Sequence, residues 1–360
     1  MLKNFHLLAA LALALLLFTA CSDDSSSNSG DSRNDIARYT VIIYGHDGGN
    51  MDNSIDGTMN DIREIIGEKE DVRVLLVYKY GGSIDFNGEL AYPGQLLHFE
   101  ITKDTDLSKL KDSWAIVKDS IKLYDPEYIT SVINYAHDSL PAQEYILFLE
   151  GHGNGFDFLT DYPKSERNKS TALAKQSVNY SLIFDTWNPV FATGAEGITM
   201  KEIATGIKKS KVPHFKAIGF NACLIGNIEL LDEIYSYTDY LLYSEHTLMS
   251  QRGELMTNLV ETLTKNKNGN FEDLVKAMLE NKDFLISWKS AYPMEGHIED
   301  DKDYNGDFQF VKTDKFANLN PIFKKLSNRL IELYAKEKNR AAIDRAADNT
   351  YRVDPHLVDA

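Results

Sequence analysis

Cys223 and His152 are the two side chains of this 360-residue sequence best suited to covalent chemistry, and both stand just after short apolar runs. YILFL (145–149) is followed by Glu150-Gly151-His152-Gly153-Asn154-Gly155, and FKAIGF (215–220) by Asn221-Ala222-Cys223. A thiol must be ionised to attack, and an imidazole beside it moves the proton, so the two form a minimal nucleophilic pair. A lone cysteine otherwise packs as a small buried hydrophobe. Cys223 differs because it lies between an apolar run and a helical stripe beginning at Leu224, where backbone N–H groups and the helix dipole favour a thiolate. Glycines on both sides of His152 leave room for a substrate backbone, which a core-packing histidine would not need. The N–H groups of Gly153 and Cys223 are natural donors to a developing oxyanion.

Other chemistry is weaker. His46-Asp47 follows YTVIIY (39–44) and Glu245-His246 follows YLLYS (240–244), so His46, His152 and His246 together offer a metallohydrolase alternative. No HExxH pair or close ligand spacing supports it. Asp301, Asp303, Asn305, Gly306 and Asp307 resemble the start of a calcium loop, but Lys312 takes the twelfth position, where a bidentate Glu belongs. That favours an acidic, solvent-exposed turn, with calcium as the alternative. The sequence has no G-x-S-x-G elbow, Walker loop or dinucleotide fingerprint, which removes serine-hydrolase and nucleotide chemistry.

The elements that must position these residues alternate. Tyr39 to Tyr44, Val72 to Tyr78, Leu96 to Ile101, Tyr145 to Leu149, Phe215 to Phe220 and Tyr240 to Ser244 are the expected strands, buried on both faces as parallel strands are. Helical spacing joins Ile55, Met59, Ile62 and Ile66, then Leu224, Ile228, Leu231 and Ile234, then Ile322, Leu326, Leu330 and Leu333, each expected to face the core. Ser54 or Asn53 would cap the first of these helices, and Thr199 a helix after Gly197. Strands separated by helices predict an α/β fold with a largely parallel sheet, whose ligands bind at the carboxyl ends of the strands. The candidate residues fall at those ends. A polar, lysine-rich insertion (161–179) breaks the alternation as a surface loop, and residues 336–360 are expected to be a C-terminal helix or tail.

VIIYGHDGGNMDNSI, YILFLEGHGNGF, and FKAIGFNACLIGNIELLDEI followed by DYLLYSEHTLMSQRG resemble, in order and spacing, the clostripain-like (C11) cysteine peptidases of the caspase-like clan. The resemblance runs from residue 39 to residue 265 and is weaker near 303–333. It implies a caspase-like αβα sandwich with a mostly parallel central sheet over residues 36–335. It also makes His152 the catalytic histidine and Cys223 the nucleophile of a protein- or peptide-cleaving enzyme that needs no cofactor for its chemistry, although some relatives use calcium. Many relatives that cleave after Arg or Lys carry an aspartate two residues before the cysteine, lining the specificity pocket. Here that residue is Asn221, which accepts hydrogen bonds but offers no charge, and Glu245 or Glu254 would be sources of the missing carboxylate. The insertion corresponds to the place where relatives cut themselves, with Lys164, Arg167, Lys169 and Lys175 as candidate sites. A catalytically silent lipoprotein that grips a peptide or glycan is the alternative from another class.

The N-terminus has its own pattern. Lys3, an uncharged run from Leu7 to Ala20 and then Cys21 have the layout of a secretory signal, too short for the about 20 apolar residues of a span. Phe18-Thr19-Ala20-Cys21 resembles the lipobox of bacterial lipoproteins. The resemblance implies removal of residues 1–20, acylation of Cys21, and a bacterial envelope location at the outer membrane or cell surface. Ser22 to Asp35 is polar and expected to be a disordered tether reaching at most about 50 Å. Elsewhere the composition is that of a folded chain, 43% hydrophobic and 26% charged. Its 38 Lys plus Arg stand against 54 Asp plus Glu, a formal charge of -16 that argues against nucleic acid and against charge-driven membrane binding. The bilayer partner would be reached through Cys21, and the chain is expected to be a monomer. Two cysteines in all exclude a disulfide scaffold.

Overall fold

The computed structural model describes residues 36–46, 52–66, 71–79, 96–106, 123, 125–153, 181–183, 197–222, 225–226, 228–244, 254–280 and 308–348. All belong to one unit, Ile36–Ala360. Its strands are β1 (Ala37–His46), β2 (Val72–Lys79), β3 (Leu96–Ile101), β4 (Ala142–Gly153), β5 (Ser181–Ile183), β6 (Gly197–Thr199), β7 (Phe215–Asn221), β8 (Thr238–Tyr243) and β9 (Gln309–Lys312). Its helices are α1 (Asp52–Ile65), α2 (Pro126–Ser139), α3 (Met200–Lys209), α4 (Ile228–Ile234), α5 (Glu254–Lys265), α6 (Phe271–Leu279), α7 (Phe316–Tyr334) and α8 (Glu337–Asp348).

The main sheet runs β3-β2-β1-β4-β7-β8-β9, with β5 and β6 off this path. Its five inner strands pair in parallel, and β3 and β9 close the edges antiparallel. Period-two alternation sends Ile42, Tyr44, Leu147, Leu149 and Phe220 to one face, where α2 and α3 cover them. Val41, Ile43, Ile146 and Phe148 go to the other, under α1, α5 and α6. The result is the expected αβα arrangement around a mostly parallel sheet. All eight residues of β2 are buried, as an inner parallel strand requires.

All six expected strands are present. β3 departs from the double-sided burial expected of it, because it is an antiparallel edge strand with His98 exposed. Ile55, Met59, Ile62 and Ile66 are buried as expected, but α1 begins at Asp52, so Asn53 and Ser54 lie inside the helix rather than ahead of it. Thr199 does cap α3. Its hydroxyl accepts from the Glu202 N–H at 3.1 Å, and the Glu202 carboxylate accepts from the Thr199 N–H at 2.8 Å, a complete capping box.

Two helical stripes differ from expectation. Leu231 and Ile234 are buried, but α4 starts only at Ile228, and Leu224 lies outside the described residues. In α7, Ile322, Leu326 and Leu330 are 60%, 52% and 42% exposed, so the stripe marks the helix without facing a core among the described residues. That helix is held at its start, where the ring of buried Phe316 lies 4.9 Å from that of Tyr235, tilted by 31°. Periodicity reports that one side is apolar, not what covers it. The C-terminal segment is helical over α8, and its described side chains are mostly exposed.

Candidate active site

The carboxyl ends of β1, β4 and β7 lie side by side. The last rung between β4 and β7 pairs Glu150 with Asn221, and β1 meets β4 there through Gly45 opposite Glu150 and His46 opposite Gly151. Past this rung β4 changes sheets. Gly151 has φ 149°, a conformation that side chains other than glycine rarely adopt. Beyond it, His152 and Gly153 pair antiparallel with Ile183 and Leu182 of β5, which pairs in turn with β6 ahead of α3. The backbone of His152 is therefore fixed by a small second ladder rather than by a free loop.

On the neighbouring strand, Asn221 and Ala222 are buried, as is Ile225. The Gly226 N–H donates to the Ser244 carbonyl at 2.9 Å, tying the segment after β7 to the end of β8. Cys223 falls between these fixed points and lies outside the described residues. The helix expected to begin at Leu224 begins at Ile228, and Gly226 donates its N–H to Ser244.

Beneath the edge sits a buried polar pair that sequence reasoning missed. The Asn221 Nδ2 donates to both oxygens of the Glu150 carboxyl, at 2.9 and 2.8 Å, with Glu150 and Asn221 only 1% and 3% exposed. A carboxylate only accepts, so it orients the amide, and among the described residues the buried Asn221 Oδ1 has no hydrogen-bond partner. Burial pushes the Glu150 carboxyl up to about 8, while the Asn221 hydrogen bonds pull it down. Asn221, expected in a specificity pocket, is thus engaged through its nitrogen, which leaves Oδ1 as its available acceptor. The signal for the pair was a carboxylate ending an otherwise apolar run, two residues before His152, with Asn221 two residues before Cys223.

Of the other expected site residues, His46 and Gly153 end their strands and Glu254 opens α5. Asp47, Glu245, His246, Cys21, Lys164, Arg167, Lys169 and Lys175 lie outside the described residues, as do Asp301, Asp303, Asn305 and Asp307. Among the described residues no group of three or more His, Cys, Asp or Glu is placed to hold a metal ion, and no helix is long and apolar enough to cross a membrane.

The sequence profile of the clostripain family matches residues 47–283, which span both candidate catalytic residues. The chain belongs to the clostripain family. No curated protein matches this clostripain-family chain. Among solved structures it is similar to a secreted C11 cysteine protease from Bacteroides thetaiotaomicron in complex with an irreversible peptide inhibitor, at 16% identity and TM-score 0.51, over 79% of this chain and 68% of that one. A second X-ray structure of a secreted C11 cysteine protease from that organism, "iotapain", gives 17% identity and TM-score 0.49 over 82% and 72%. An inactive zymogen C11 protease from Parabacteroides distasonis gives 15% and 0.45 over 79% and 64%. At such identities the likeness speaks for the fold, that of the caspase-like C11 proteases.

Proposed function

We propose that the protein is a cysteine endopeptidase using His152 and Cys223 as a dyad. The observation that supports it most is the Glu150–Asn221 rung: His152 and Cys223 each lie two residues beyond the same rung of adjacent parallel strands. The Cys223 thiolate attacks the scissile carbonyl carbon, and the N–H groups of Gly153 and Cys223 hold the oxyanion. Collapse breaks the C–N bond as His152 protonates the leaving amine. Water, deprotonated by His152, then cleaves the thioester. The chemistry needs no metal, and calcium at Asp301, Asp303, Asn305 and Asp307 would be structural.

The substrate in this reading is an extended protein segment, with Asn221 and Glu245 in the specificity pocket. Lys164, Arg167, Lys169 and Lys175 are the proposed self-cleavage positions, and Cys21 carries the lipid that holds a monomer at the bacterial outer membrane or cell surface. Iodoacetamide tests the dyad. Cys223 is expected to be alkylated rapidly in the folded protein and more slowly after His152→Ala, and Cys223→Ala is expected to abolish cleavage of a diverse peptide library. A thiol inert in the folded protein, together with no cleavage across the library, overturns the reading.

A further inference from the structure

Glu150 is an expensive residue for its place. It is buried at the last β4–β7 rung, at the end of an otherwise apolar run, and burial alone disfavours its charge. A well-packed apolar pair would fill the same space at less cost, so stability does not account for it. Its surroundings immobilise it on two sides. On β7 both of its oxygens accept from Asn221 Nδ2. On β1, Gly45 brings backbone so near that an added Cβ would stand 2.4 Å from the Glu150 Cβ and 2.4 Å from its carbonyl oxygen. The next residue is Gly151, where β4 leaves the main sheet for the ladder with β5.

We propose that Glu150 is a positioning residue: its bond to Asn221 locks the ends of β4 and β7 together at the point where the chain departs toward His152 on one strand and Cys223 on the other. The inference rests on the dyad reading above. Both ionisation states can keep the link. An ionised carboxyl accepts from Asn221 Nδ2 at both oxygens, the arrangement observed. A protonated one, with the amide turned over, donates its O–H to Oδ1. In this reading Glu150 acts through the two strand ends rather than on a reacting atom.

A double-mutant cycle on the full chain tests it, with iodoacetamide as the probe of Cys223 and a thermal melt as the fold control. In the wild-type background His152→Ala is expected to slow alkylation about tenfold or more, reflecting lost imidazole assistance to the thiolate. In a Glu150→Met background, which loses some stability because Asn221 Nδ2 is left without its acceptor and is compared at a temperature where its melt shows it folded, the same His152→Ala change is expected to have less than about a twofold effect, because the two residues no longer meet. The isosteric exchange Glu150→Gln with Asn221→Asp, which moves the carboxyl to β7 and the amide to β4, is expected to restore the dependence on His152. Full His152 dependence in Glu150→Met overturns the positioning role while leaving the dyad intact. An exchange variant that behaves like Glu150→Met overturns the pair as its cause. Absence of any His152 effect in the wild-type background sinks the dyad itself, a distinguishable result.

Discussion

Gly45 and Glu150 stand so close across β1 and β4 that no side chain fits at position 45: a Cβ there would meet the Glu150 carbonyl oxygen at 2.4 Å. The obstacle is backbone, which cannot swing aside as a flexible side chain does. Gly45→Ala is expected to cost about 1 to 3 kcal/mol by overpacking. Urea denaturation of the variant against wild type checks it, and a loss below about 0.5 kcal/mol contradicts the close approach.

Gly151 carries a different constraint, its φ of 149°. Gly151→Ala is expected to destabilise by about 1 to 3 kcal/mol through backbone strain. Because the strand turns out of the main sheet there, cysteine alkylation is also expected to fall by more than the loss of folded protein explains. Melts and alkylation rates measured on the same samples separate the two effects.

The raised Glu150 carboxyl gives stability a definite pH dependence. Its ordinary value is 4.5 and burial takes it to about 8. Between these values the folded chain holds a proton that the unfolded chain has released, so stability falls as pH rises through this window and levels off above it. The expected loss is on the order of a few kcal/mol. Comparing denaturation at pH 5 and pH 8.5 measures it, and Glu150→Gln should flatten the difference. A wild-type protein that gains stability across that window has the opposite sign.

Asn221→Asp, the obvious way to seek cleavage after Arg or Lys, meets Glu150. The new carboxyl would stand within hydrogen-bond distance of the old one, where Asn221 Nδ2 now lies 2.8 and 2.9 Å from its oxygens. Two such groups cannot both ionise near neutral pH. The single variant is therefore expected to leave Arg and Lys cleavage within about twofold of wild type, and adding Glu150→Gln to raise it by about tenfold. Profiling both variants on a P1-diverse peptide library gives the answer.

The inner strands were legible because apolar, β-branched runs have few other places to go in a chain of this composition. β3 has similar residues, yet its antiparallel edge position depends on its neighbour, which a run of six residues does not encode. Helix α2 falls outside the helical stripes expected, although Asp125 caps it, Pro126 opens it, and Ile129, Val132, Ile133 and Ala136 line its buried side. The two-ladder path at Gly151 and the three-residue strands β5 and β6 carry too little periodicity to read. At the site, the strand ends were foreseen and the Glu150–Asn221 bond was not. It joins residues 71 apart, beyond any local pattern, and the sequence places Glu150 in a loop that the structure shows to be strand.

The lysine-rich insertion lies between two segments that are hydrogen-bonded to each other, with β4 upstream and β5 downstream. β7, also downstream, runs beside β4 in the main sheet. A cut anywhere in 161–179 would split the polypeptide but not the sheet, because the two pieces would still share the rungs of both ladders. Proteolytic nicking would then release the strand connection without releasing either half, and a cleaved protein would migrate as two bands under denaturing conditions and as one particle in native buffer.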